Sequence, residues 1–222
     1  MKMKWNAFHV LATLALAAAP GLASPITVTN FSFENLSGIT MSACTGAGCA
    51  ANFTSGIPGW TAAPNGGLFQ PGSQSPQLYY NSVPDGTTIA YGNSQMYSQT
   101  VGPTVGVGTV YTLLVDLGHQ IGTPFGVTGD LRIGGSNART VSLTGSAPTD
   151  GNWATYSASF TGLAGDTTLT IDLNGGTTGN QLQGGFDNVR LSDNSVPEPA
   201  SFLLIGSALL ILPALRRRRT NS

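Results

Sequence analysis

Between Ser24 and Asp193 apolar side chains recur at every second position in short runs, and no long stretch carries helical spacing. That period excludes a helical bundle and points to strands, because successive side chains of an extended chain face opposite ways. In the run from Tyr111 to Leu117 the residues Tyr111, Leu113, Val115 and Leu117 share one face. Leu169, Ile171 and Leu173 do the same in the run from Thr168. Predicted strands are 26–33, 77–80, 88–90, 96–101, 109–117, 130–133, 140–143, 154–160, 167–173 and 185–191. Pro84-Asp85-Gly86, Asp150-Gly151-Asn152 and Asn174-Gly175-Gly176 supply turn residues between them. Polar partners on the second face of several runs predict antiparallel sheets wet on one side. The expected class is all-β, an antiparallel sandwich.

Both ends differ from this middle. Lys2 and Lys4 precede a 13-residue apolar run, Ala7 to Ala19, and Gly21-Leu22-Ala23 offers small residues for a cut after Ala23. Residues 1–23 therefore read as a secretory signal peptide, too short to span a bilayer. Near the other end, Phe202 to Leu215 is a 14-residue apolar run followed by four arginines, Arg216 to Arg219. As a helix it would be roughly 21 Å long, a short transmembrane segment whose arginines stay cytoplasmic. The expected organisation is a signal peptide (1–23), an exported β-domain (24–193), a proline-bounded linker (194–201), a single transmembrane helix (202–215) and a cytoplasmic arginine-rich tail (216–222).

Charge and cysteines agree with export. Between Ser24 and Ser195 there are three basic residues, Arg132, Arg139 and Arg190, against nine acids, a net of −6. So few cations cannot neutralise a phosphate backbone, which argues against nucleic-acid binding. Cys44 and Cys49 are the two cysteines, six positions inclusive, with two glycines between them. A close pair in an oxidising compartment is expected to form a disulfide.

The segment Val196-Pro197-Glu198-Pro199-Ala200-Ser201, the apolar run after it and the terminal arginines resemble the PEP-CTERM sorting signal of exopolysaccharide-producing Gram-negative bacteria. The resemblance implies an exosortase as partner. It also implies transient anchoring in the inner membrane, cleavage near Pro-Glu-Pro, and delivery to the cell surface or extracellular matrix. The exported part resembles the galactose-binding-like jelly rolls of carbohydrate-binding modules. The resemblance rests on Asn30-Phe31-Ser32-Phe33-Glu34, on Ile57-Pro58-Gly59-Trp60 and on Gly185-Phe186-Asp187-Asn188-Val189-Arg190-Leu191. It implies a jelly-roll topology, and a structural calcium held between Glu34 on the first strand and Asp187 on the last, oxygen ligands suited to that ion.

Site chemistry is sparse. His119 is the one histidine of the exported part, and no Gly-x-Ser-x-Gly elbow accompanies it. Most acids sit beside glycine or asparagine, in turn contexts. Trp60, in a Pro-Gly-flanked loop, and the adjacent Tyr79 and Tyr80 are the candidates for exposed, sugar-binding rings. The expectation is a non-catalytic surface or matrix protein with polysaccharide as its ligand. The alternative is a small secreted carbohydrate-active hydrolase whose catalytic acids carry no recognisable motif.

Overall fold

The computed structural model describes residues 23–53, 56–62, 66–73, 76–93, 96–102, 104–176 and 183–194. They lie within one unit, Leu22–Ser195. The signal peptide, the sorting motif Val196 to Ser201, the transmembrane segment and the arginine tail fall outside the described residues. Among the described residues no helix is long and apolar enough to cross a membrane.

Thirteen strands make up the described part. They are β1 (Ser24–Ile26), β2 (Ser42–Ala43), β3 (Ala50–Asn52), β4 (Thr61–Ala62), β5 (Gly66–Gln70), β6 (Ile89–Asn93) and β7 (Met96–Val101), followed by β8 (Val110–His119), β9 (Thr128–Gly135), β10 (Arg139–Ser142), β11 (Trp153–Thr161), β12 (Asp166–Asn174) and β13 (Gln183–Asn194). Eight form one sheet in the order β11-β8-β13-β6-β5-β3-β2, with β1 also paired to β13. Five form the second, β10-β9-β12-β7-β4. All these pairings are antiparallel, so the all-β sandwich expected from the period-2 pattern is what forms.

The alternation places the core. Tyr111, Leu113, Val115 and Leu117 of β8 are buried, facing Leu169, Ile171 and Leu173 of β12 and Leu131 and Ile133 of β9. Tyr97 of one sheet meets Phe186 of the other edge-on, ring centroids 6.1 Å apart. Removing the burial of one such side chain costs about 2–5 kcal/mol for Leu or Ile to Ala. One polar group crosses this layer satisfied: the Gln99 amide accepts from Thr29 N and donates to the carbonyls of Thr29 and Gly59.

Two predicted strands fail. The first stops at Ile26, because Asn30 and Phe33 take φ of 52° and 59°, left-handed conformations that no strand contains. Glu34 therefore follows a turn and does not sit on the first strand. Residues 77–80, expected as a strand carrying Tyr79 and Tyr80, are irregular. Four strands, β2 to β5, were not foreseen.

The two sheets differ outwardly. The solvent face of the five-stranded sheet is polar, with Arg132 on β9 paired to Asp172 on β12 at 2.8 Å. The outer face of the eight-stranded sheet carries a second apolar cluster, Cys49, Phe69, Tyr80 and Ile89.

Candidate functional site

This second cluster is built on a row of cross-strand neighbours. Trp153 pairs with Gly118, Gly118 with Gly185, and Gly185 with Tyr91. The two glycines are there for space. A Cβ on Gly118 would sit 2.7 Å from the Trp153 ring, and one on Gly185 would sit 2.6 Å from it and 2.8 Å from Ile89. The indole thus lies flat on bare backbone, with Tyr80 packed against it at 5.0 Å between centroids and its Nε1 donating to the Ser82 carbonyl.

Towards the β3 edge the same face opens into a cavity of about 170 Å³, lined by Cys44, Ala51, Phe53, Phe69, Tyr79, Tyr91 and Gln120. Four rings form its walls. Phe53 lies 5.2 Å from Tyr91, Phe69 lies 5.8 Å from Tyr91, and Phe69 meets Tyr79 edge-on at 4.9 Å. Phe53 is 42% exposed and marks the mouth. No charged side chain lines the cup. Its polar groups are the Tyr79 and Tyr91 hydroxyls and the Gln120 amide. Burial, with a smaller push from the neighbouring Tyr79, holds the Tyr91 phenol well above the usual tyrosine range, so it remains a neutral hydrogen-bond donor.

Loops fix these walls in place. The Tyr79 hydroxyl donates to the Thr45 carbonyl at 3.2 Å, and the Tyr79 carbonyl accepts from Ile121 N, next to Gln120. His119 holds the other side of that loop. Its Nδ1 lies 3.0 Å from the Pro148 carbonyl oxygen and its Nε2 lies 2.6 Å from that of Thr123. With both ring nitrogens engaged by backbone, His119 is a strut between loops rather than a base for a serine.

Beyond Gly185 on β13 lies Asp187, fully buried. Its oxygens accept from Asp85 N and Asn188 N, yet burial outweighs both and pushes its carboxyl up to about 8, the Asp85 and Asp116 charges adding to the rise. Glu34 grips the same loop from the other side, accepting from Thr87 N and Thr88 N. The two acids predicted to share calcium thus bracket residues 85–88 as a clasp. Their oxygens accept hydrogen bonds from the backbone amides of that loop. Among the described residues no group of three or more His, Cys, Asp or Glu converges for a metal.

Of the other sequence candidates, Cys44 and Cys49 are joined in a disulfide. Trp60 is not an exposed ring: it is buried between the sheets against Phe33 at 5.6 Å and does not line the cup. Tyr80 is buried behind the cup, and Tyr79 alone of the three lines it. Phe53, Phe69, Tyr91 and Gln120 were missed. A signal for Phe69 and Tyr91 existed: Leu68-Phe69 and Ile89-Ala90-Tyr91 place apolar residues on both faces, which marks strands covered on both sides.

The model of the HpiC1-like family, described as HpiC1 cyclase, matches residues 24–192. Among solved structures, the Stig cyclase Fisc from Fischerella sp. TAU, in complex with (3Z)-3-(1-methyl-2-pyrrolidinylidene)-3H-indole, is 22% identical with a TM-score of 0.59. That match covers 78% of this chain and 98% of Fisc. The apo form of a cyclase from Fischerella sp. is 20% identical, TM-score 0.57, covering 77% of this chain and 96% of that one. A cyclase from Fischerella sp. TAU in complex with 4-(1H-indol-3-yl)butan-2-one is 20% identical, TM-score 0.53, covering 77% and 98%. At these identities the likeness is one of fold. A search of the curated proteins finds no match. The family match overturns two expectations, that the protein is a non-catalytic surface or matrix component and that it is not an enzyme. The alternative of a carbohydrate-active hydrolase falls with them. The earlier inference had rested on the lack of local catalytic motifs, whereas the cup is assembled from segments far apart in sequence. With the model matching all but the ends, this chain belongs to the HpiC1-like cyclase family.

Proposed function

We propose that this protein is a cyclase that closes a ring within a small, uncharged aromatic substrate held in the cup. The observation that carries the reading is a cavity of about 170 Å³ walled by four aromatic rings and lined by no charge. A dry apolar cavity of about 150 Å³ suffices for benzene, whereas drug-sized ligands need about 300 Å³ or more. The cup thus suits one aromatic ring system, with the remainder of the molecule projecting past Phe53. The indole compounds named with the Fischerella cyclases support a ligand of this kind.

Ring closure of this sort joins two atoms of one molecule and loses none, so the product is an isomer of the substrate. The cup's contribution is to exclude water, hold the chain folded over the ring, and present aromatic faces to positive charge that develops on the way. Gln120 and the Tyr91 hydroxyl orient a polar group of the ligand. Asp187 supplies a proton to one atom of the substrate, and the carboxylate so formed takes a proton back from the cyclised cation, so no net proton is gained and the mass is unchanged. Its carboxyl, pushed up to about 8, is largely protonated at neutral pH, as a general acid must be. It lies on the same strand as Gly185 and under the loop that Glu34 clasps, so delivery to the substrate requires that loop to lift.

Incubation of the purified protein with indole-bearing substrates tests this, read by chromatography with mass detection. A product of unchanged mass and altered retention is expected. Asp187→Asn should lower turnover by about a hundredfold or more while leaving ligand affinity within twofold. Substrate recovered unchanged from native protein across such compounds counts against a cyclase, and full activity in Asp187→Asn removes that residue from the reaction.

The jelly-roll topology belongs to the same reading, supported by the pairing of the first strand with the last. So does export through the signal peptide and the Pro-Glu-Pro tail, supported by the disulfide, a bond favoured in oxidising compartments.

A further inference from the structure

Resting on the reading of the cup as the ligand site, we propose that the Cys44–Cys49 disulfide positions the cup wall, so that its redox state sets the affinity for an aromatic ligand. Cys49 is buried in the cluster beneath the cup with Phe69, Tyr80 and Ile89, and Cys44 lines the cavity itself. The bond closes a short hairpin in which Cys44 N donates to the Cys49 carbonyl and Cys49 N to that of Gly46. At its tip the Thr45 carbonyl accepts the Tyr79 hydroxyl at 3.2 Å. On the far side the Ala47 carbonyl accepts from Ser73 N, which ties the hairpin to the segment directly after β5 and its Phe69.

The Tyr79 backbone is tied to Ile121 N, but its phenol has the Thr45 carbonyl as its hydrogen-bond partner. The residue lies in an irregular segment, half-exposed, and its ring leans edge-on against Phe69. An edge-on aromatic pair and a single hydrogen bond are each modest restraints, so loss of either leaves the ring mobile. When the disulfide is intact, the Thr45 carbonyl is fixed relative to Phe69, and the phenol is held against the cavity. Reduction by an added dithiol breaks the S–S bond and leaves two thiols, while the dithiol becomes a cyclic disulfide. The hairpin tip is then free to move, and Tyr79 with it. The geometry makes the disulfide a positioning device that acts through Tyr79 and does not itself touch the reacting atoms.

The test has one arm without ligand and one with it. Nitration by tetranitromethane, mapped by peptide mass, reads the freedom of Tyr79. A severalfold rise at Tyr79 on reduction is expected, with the core residue Tyr97 unreactive throughout as evidence that the fold survives. Titration with 4-(1H-indol-3-yl)butan-2-one reads the cup, and reduction should weaken binding by roughly five- to tenfold. Tyr79→Phe keeps the disulfide and the ring but loses the bond to Thr45. It should reproduce most of that loss, and reduction of this variant should add little. Cys44→Ser with Cys49→Ser should match reduced native protein, and if that variant does not fold, the reduced native protein carries the comparison. Unchanged Tyr79 nitration on reduction overturns the proposal whether or not the probe binds. Loss of binding in Tyr79→Phe that reduction then doubles also overturns it. Absence of probe binding to oxidised native protein, with nitration still redox-sensitive, overturns the cup as an indole site and leaves only the mechanical coupling.

Discussion

Burial, not a neighbouring base, sets the protonation of Asp187, and this makes the fold sensitive to pH in a definite direction. The folded carboxyl titrates at about 8 against an ordinary value of 3.8, so between these limits the native state holds a proton that the unfolded chain releases. Stability from this group is complete below about pH 4 and falls as pH rises through that window. Asp187→Asn cannot titrate, and urea midpoints measured at pH 5, 6, 7 and 8 should decline less steeply for it than for native protein. Equal slopes would mean that Asp187 is ionised in the fold. The sequence marked Asp187 as special by its place in Phe-Asp-Asn-Val, through a resemblance that implies a calcium ligand there. What could not be read there is the 84–88 loop that covers it, since Asp85 and Asp187 meet across a long stretch of chain. Trp60 was misplaced by its flanks: Pro and Gly read as an exposed loop, whereas Phe33, turned inward by a left-handed backbone, closes over it.

Strands with strict alternation were legible because one side of each is core and the other water. β7 was located to its ends, and β8, β9, β11 and β12 to within about two residues. The short strands β2 and β3 gave no pattern, having two or three residues each and no large apolar side chain. β5 hid for another reason. Its Gly-Gly-Leu-Phe is apolar without alternation because Leu68 enters the core while Phe69 enters the cup. The seat of the Trp153 indole beside the cup depends on the glycines of β8 and β13, and this is directly testable. Gly185→Ala brings a methyl within 2.6 Å of the Trp153 ring and 2.8 Å of Ile89. The cost should be about 1–3 kcal/mol, with a changed near-ultraviolet circular dichroism signal as the indole tilts. An unaltered spectrum and melt would show that Trp153 is not seated on that backbone.

The sandwich as a whole followed from periodicity, whereas its activity did not. The proposed site draws its side chains from the disulfide hairpin, β3, β5, the loop before β6, β6 and the end of β8, with no local motif to announce them. The proposed export through Pro197-Glu198-Pro199 is independent of that chemistry. It predicts a mature protein beginning at Ser24 and ending near Pro199, to be read from terminal peptides by mass spectrometry in a host with an exosortase. Mature protein still carrying Leu203 to Arg219 would make the tail a permanent anchor. The central claim is that the cup on the outer face of the eight-stranded sheet binds an aromatic ligand. Phe53 allows the most direct test, because it walls the cup yet is 42% exposed, so its removal leaves the inter-sheet core intact. Calorimetric titration of 4-(1H-indol-3-yl)butan-2-one into native protein and into Phe53→Ala is the decisive measurement. Saturable one-to-one binding by native protein is expected, weakened about tenfold in the variant while the melting temperature changes little. Equal affinity in the two proteins, or no saturable binding to the native one, would contradict it.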